Sequence, residues 1–121
     1  MPSILIVDDD KLIRVFLRRV FENEGFKVFE ACNGNECIDL YKTPWPSVVM
    51  MDIVMPEKDG ITALRQIKKI NNDQKIIAIS GGSVFTPETY LKEAKAAGAD
   101  CIMAKPFCKS SLLFEISTLL G

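Results

Sequence analysis

The sequence predicts an α/β domain with a five-stranded parallel sheet, strand order 2-1-3-4-5, and helices on both faces. Three observations carry that prediction. Short apolar runs alternate with helix-period segments along the 121 residues, the pattern of βα units joined by right-handed crossovers. The runs Ile4-Leu5-Ile6-Val7, Val48-Val49-Met50-Met51 and Ile76-Ile77-Ala78-Ile79 are apolar throughout, as strands covered on both faces are, so strands 1, 3 and 4 belong in the centre. Four runs end on polar residues: Asp8-Asp9-Asp10, Asp52, Ser80, and Lys105-Pro106 after Cys101-Ile102-Met103-Ala104. Parallel strands bring all their C-terminal ends to one edge, where ligands of open α/β sheets sit.

Strand 1 covers Ser3 to Val7. Helix 1 follows, with Ile13, Phe16, Leu17, Val20 and Phe21 spaced as one apolar face. Asp10 is its expected N-cap and Gly25 its stop; Lys11, Arg14, Arg18 and Arg19 are expected on its wet face. Strand 2, Lys27 to Ala31, mixes charged and apolar residues and suits an edge. Asn33 and Glu36 offer a capping-box-like start to helix 2, which reaches Tyr41. Pro44-Trp45-Pro46 forces a loop. Strand 3 runs into Asp52, and Asp59 is the expected cap of helix 3, which buries Leu64 and Ile67, with Ile61 and Ile70 as further candidates. Asn71-Asn72-Asp73 ends it. Strand 4 is Lys75 to Ile79, and Ser80-Gly81-Gly82-Ser83 is read as a loop. Thr86-Pro87-Glu88 starts helix 4 with proline in the first turn, and Gly98 stops it. Strand 5 covers Asp100 to Ala104. Helix 5 carries Leu112, Leu113, Ile116, Leu119 and Leu120 on one stripe.

Residues 1–121 are read as one domain. A net charge of -1 favours neither a nucleic-acid surface nor a polyanionic tail. No stretch approaches a membrane span of about 20 apolar residues. Met1-Pro2-Ser3 lacks a signal peptide's basic start, so a cytoplasmic protein is expected. Cys32, Cys37, Cys101 and Cys108 form no C-x-x-C pair, and there is no histidine; they are read as reduced thiols rather than a zinc site.

In the predicted strand order, Asp8, Asp9 and Asp52 meet at the crevice between strands 1 and 3. Clustered carboxylates repel unless a cation joins them, and an all-oxygen set suits a hard ion such as Mg²⁺. Lys105 would neutralise part of the cluster or pair with an arriving anion. Ser80 adds a hydroxyl, and glycines after it let backbone approach a ligand. Together these make a site for a phosphoryl group, where electrostatic stabilisation does most of the catalytic work. A carboxylate is also a competent nucleophile for phosphorus. Each residue has a plainer explanation when taken alone. Asp10 is better read as a helix cap and Asp59 as structural, whereas Lys105 alone would be a surface lysine and Ser80 alone a loop serine; the site rests on the convergence of Asp8, Asp9, Asp52, Ser80 and Lys105.

The chain resembles a response-regulator receiver domain, the phosphoacceptor module of two-component signalling. The resemblance is carried by Ile4-Leu5-Ile6-Val7-Asp8-Asp9-Asp10, Met51-Asp52-Ile53-Val54-Met55-Pro56-Glu57-Lys58-Asp59-Gly60, Ile79-Ser80-Gly81 and Gly98-Ala99-Asp100 leading to Lys105-Pro106-Phe107. It implies a flavodoxin-like (βα)5 fold, phosphorylation at Asp52, and Mg²⁺ (Mn²⁺ as a substitute) held by Asp8, Asp9, Asp52 and the backbone carbonyl of Val54. It further implies that Lys105 and Ser80 contact the phosphoryl oxygens, and that Lys105-Pro106 is cis. The implied donor is a histidine kinase or histidine phosphotransfer protein, with an output domain or downstream protein as recipient of the signal, and no direct nucleic-acid or membrane binding. Ile102 departs from the pattern, since many members carry Tyr or Phe there. Val54 offers no polar side chain to an attacking water, so slow self-dephosphorylation is expected. Two other readings compete: a phosphatase resembling the haloacid-dehalogenase superfamily, using Asp8 and Asp10, and a receiver-like module that is never phosphorylated.

Overall fold

The computed structural model describes residues 2–41, 45–53, 60–81 and 88–121. Its elements are β1 (Ser3–Val7), α1 (Lys11–Asn23), β2 (Lys27–Ala31), α2 (Gly34–Tyr41), β3 (Val48–Asp52), α3 (Gly60–Ile70), β4 (Lys75–Ser80), α4 (Glu88–Ala97), β5 (Cys101–Ala104) and α5 (Lys109–Leu120). The strands form one parallel sheet in the order β2-β1-β3-β4-β5, the expected order with the mixed strand β2 at an edge.

Side chains alternate across each strand, and this splits the core into two layers. Leu5, Val7, Val49, Met51, Ile76 and Ala78 face α2, α3 and α4 through Cys37, Tyr41, Leu64, Ile67 and Ala94. Ile4, Ile6, Val48, Met50, Ile77 and Ile79 face α1 and α5 through Leu17, Phe21, Leu112 and Ile116. Burying each of these larger side chains stabilises by about 1.5–3 kcal/mol. Among the described residues no helix is long and apolar enough to cross a membrane.

The local signals act largely as read. Asp10 caps α1, its carboxylate accepting from the Leu12 amide at 2.9 Å. Gly25 has φ of 87° and Gly98 of 117°, the left-handed region where a side chain is strained. Asn33 accepts from the Glu36 amide at 2.9 Å, while Glu36 reaches back to the Cys32 amide at 3.0 Å. Cys37 is buried and Cys108 exposed, and among the described residues none of the four cysteines forms a disulfide.

Several boundaries and faces differ. β4 continues through Ser80, which pairs with Ala104 and accepts from the Lys105 amide at 3.0 Å. Asp100 precedes β5 and instead brackets Ile76, donating its amide to the Ile76 carbonyl and accepting the Ile76 amide on Oδ2, both at 2.8 Å. Phe16, Ile70 and Leu120 lie at the margins of their apolar stripes and are exposed. Trp45 is exposed and lies nearly parallel to the Tyr41 ring, 6.2 Å between centroids. Arg14 and Arg18 do not simply face water: both pair with Glu30 on β2. Pro44, Val54, Asp59, Gly82, Ser83, Thr86 and Pro87 lie outside the described residues.

Candidate functional site

The sheet register brings the predicted groups together. Val7 pairs with Met51, Asp52 with Ile79, and Ser80 with Ala104, so the residues that follow each strand emerge along one rim. Ligand oxygens of Asp8, Asp9 and Asp52 all lie within 4.8 Å of one another. Lys105, beyond β5, places its Nζ 2.9 Å from Asp8 Oδ2 and 3.2 Å from Asp52 Oδ2. Its peptide bond to Pro106 is cis, as the resemblance implies.

Burial grades the three acids. Asp8 is fully enclosed, Asp52 is 5% exposed, and Asp9 lies open to solvent. Asp8 is held at backbone and side chain: its amide donates to the Ala31 carbonyl at 3.1 Å, and its Oδ1 accepts from the Asp10 amide at 2.9 Å. Its Oδ2 faces the Lys105 ammonium but has no hydrogen bond of good geometry. Burial acts to lower the Lys105 pKa, but the close ion pair with Asp8 and the charge of Asp52 outweigh it and hold the ammonium above its ordinary value.

Three oxygen donors, one of them a buried carboxylate oxygen without a hydrogen bond, fit a hard divalent cation. Three carboxylates against one ammonium also leave excess negative charge that such an ion would neutralise. Ser80 is buried at the end of β4, on the strand next to β3. Ile102 is half-buried and packs against the core layer under α2, α3 and α4.

Two features escaped the sequence. Gly60 opens α3 directly beneath the Asp52 backbone: a Cβ there would stand 2.1 Å from the Asp52 carbonyl oxygen and 2.6 Å from the Ile53 Cα. The Asp-Gly pair could have suggested a close approach, but nothing indicated which backbone. Arg14 is the second, with its Nη1 2.7 Å from the Asp8 carbonyl oxygen. Beside Lys105 an apolar groove of ≈ 380 Å³ is lined by Ile13, Phe16, Gly81, Pro106 and Phe107.

The response regulator receiver domain family matches residues 4–117. The chain is 41% identical over 118 residues to the chemotaxis protein CheY of Halobacterium salinarum, covering 98% of this chain and 96% of that relative. It is 39% identical over 119 residues to the chemotaxis protein CheY of Bacillus subtilis, covering 98% and 97%. Its fold is similar to that of a CheY-like response regulator receiver domain protein from Methanospirillum hungatei, with a TM-score of 0.93, 28% identity, and coverage of 99% and 94%.

Proposed function

The chain belongs to the response-regulator receiver family, and from that premise we propose that Asp52 is its phosphoacceptor. One observation supports Asp52 above its neighbours. It pairs with Lys105 at 3.2 Å while its side chain keeps 7% exposure, so it combines a cationic partner with a route to solvent. Asp8 shares the lysine but is fully enclosed, and Asp9 is open but lies outside the Lys105 contacts.

In the proposed reaction a carboxylate oxygen of Asp52 attacks the phosphorus of a phosphohistidine. The P–N bond breaks, its electron pair stays on the imidazole nitrogen, which takes a proton, and an aspartyl phosphate forms. Lys105 holds positive charge against the incoming phosphoryl oxygens, and Ser80 presents its hydroxyl from the end of β4. Asp8, Asp9 and Asp52 would hold Mg²⁺, with Mn²⁺ as a substitute, and the ion would neutralise charge on the transferring group. The Val54 carbonyl is carried as a fourth ligand on the resemblance alone. Hydrolysis of the acyl phosphate resets the site, so the protein is read as a signalling switch that turns over only its own phosphate.

The proposed donor is a histidine kinase or histidine phosphotransfer protein. The groove beside Lys105, with Leu12 and Phe16 exposed on α1, suits such a partner. Residues 1–121 are taken as one receiver unit, acting in the cytoplasm on an output domain or downstream protein. The phosphatase alternative is disfavoured because the Asp10 carboxylate, which would have to act as its general acid, is engaged as the cap of α1. Incubation with Mg²⁺ and a small acyl or amino phosphate should add one phosphoryl group by intact mass, and Asp52→Ala should add none. An unchanged adduct in Asp52→Ala would overturn the assignment.

A further inference from the structure

Arg14 sits one turn into α1, where a cation runs against the helix macrodipole. Its side chain folds back toward the helix N-terminus, as helical side chains do. There Nη1 donates to the Asp8 carbonyl at 2.7 Å and Nε donates to Glu30 Oε1 at 3.1 Å. Both contacts are charge-assisted, and the Arg14 side chain is only 16% exposed. Arg18 holds the other oxygen of Glu30. Burial works to raise the Glu30 pKa, but Arg18 and Arg14 outweigh it and hold the carboxyl below its ordinary value. Glu30 therefore stays ionised and anchors Arg14 to β2.

The Asp8 carbonyl belongs to the peptide that joins Asp8 to Asp9, and a peptide moves as one plane. Fixing its oxygen fixes the plane, and with it the direction in which Asp9 leaves the sheet. Asp9 has no other visible restraint: among the described residues no side chain pairs with its exposed carboxylate. We propose that Arg14 is a positioning residue for the acid cluster, holding the Asp8–Asp9 peptide so that the Asp9 carboxylate is aimed at the divalent cation. This rests on the reading of the cluster as a Mg²⁺ site given above.

The sign of the effect separates geometry from charge. Removing a cation near three carboxylates should, by Coulomb attraction alone, tighten a divalent ion. Loss of positioning should loosen it. Isothermal titration of the full chain with MgCl₂, without any phosphodonor, reads this directly, and urea unfolding of the same samples reads stability.

Arg14→Met should weaken Mg²⁺ by about tenfold, the usual cost of removing a group that orients a metal ligand. Arg14→Lys keeps the charge but loses the planar fork, and should weaken it too. Arg18→Met cuts the same Glu30 network without touching the Asp8 carbonyl. It should lose stability yet bind Mg²⁺ within about twofold of wild type. Equal or tighter binding by Arg14→Met overturns the inference, as does equal weakening by Arg18→Met, which would mean general loosening. Should Arg14→Met not fold, Arg14→Lys decides alone, and unchanged binding there overturns it. A wild-type chain that takes up no Mg²⁺ overturns the cation-site reading and this inference together, whereas wild-type binding with normal Arg14 variants overturns only the role of Arg14.

Discussion

Lys105→Met tests the electrostatics of the rim most directly. Methionine keeps much of the length and removes the charge, leaving Asp8 and Asp52 without the ammonium that stands 2.9 and 3.2 Å from them. Breaking a buried ion pair from one side costs about 3–5 kcal/mol. The Lys105 side chain is 22% exposed, so water screens part of the interaction and the expectation sits at the low end, about 3 kcal/mol. For a chain of 121 residues that corresponds to a fall in Tm of roughly 10 °C. Mg²⁺ should then restore more stability to the variant than it adds to wild type, because a cation entering the cluster no longer meets an ammonium. Urea unfolding followed by circular dichroism, with and without millimolar Mg²⁺, measures both quantities. An unchanged urea midpoint in Lys105→Met, or an identical Mg²⁺ increment in the two proteins, would refute the picture of two enclosed carboxylates relieved by one lysine.

Gly60→Ala drives a methyl group into the Asp52 carbonyl and the Ile53 Cα, 2.1 and 2.6 Å away. Because backbone cannot swing aside, a loss of about 3 kcal/mol is expected in a thermal melt, and a change under about 0.5 kcal/mol would refute the close approach. Cys108 should be the first thiol alkylated by iodoacetamide. The Ser110 hydroxyl, then the Ser111 hydroxyl and nearby amides, stabilise its thiolate and bring its pKa down to about 7, whereas burial and then Glu115 push Cys101 up to about 11. Its alkylation rate should rise through neutral pH and level off, while that of Cys101 keeps rising into alkali; peptide mapping that finds Cys101 modified first would contradict this.

The sheet order and the acid–lysine rim were legible because both follow from strand ends. An apolar run closed by a polar residue marks where a buried strand surfaces, and parallel pairing aligns those points. Asp8, Asp9, Asp52 and Lys105 converge for that reason. What escaped depended on reach or close approach rather than pattern. Helical periodicity puts Arg14 on the polar side of α1, and periodicity says nothing about a long side chain folding back to a carbonyl six residues earlier. Phe16 fits the apolar spacing, yet it lies where the helix overhangs the groove beside Lys105. The glycines after Ser80 signal a loop, whereas the backbone bond from Lys105 holds Ser80 in the strand.

Among the described residues β2 and β5 are the edge strands of the sheet, and both are poor templates for strand addition. β5 has only four residues, too short to recruit a foreign strand firmly. β2 carries Lys27 and Glu30, and charge on an edge strand discourages the pairing that leads to aggregates. Glu30 thus serves twice, as the counter-charge for Arg14 and Arg18 and as a guard on the border of the sheet. A hydrophobic replacement there would invite self-association even in a chain that still folds.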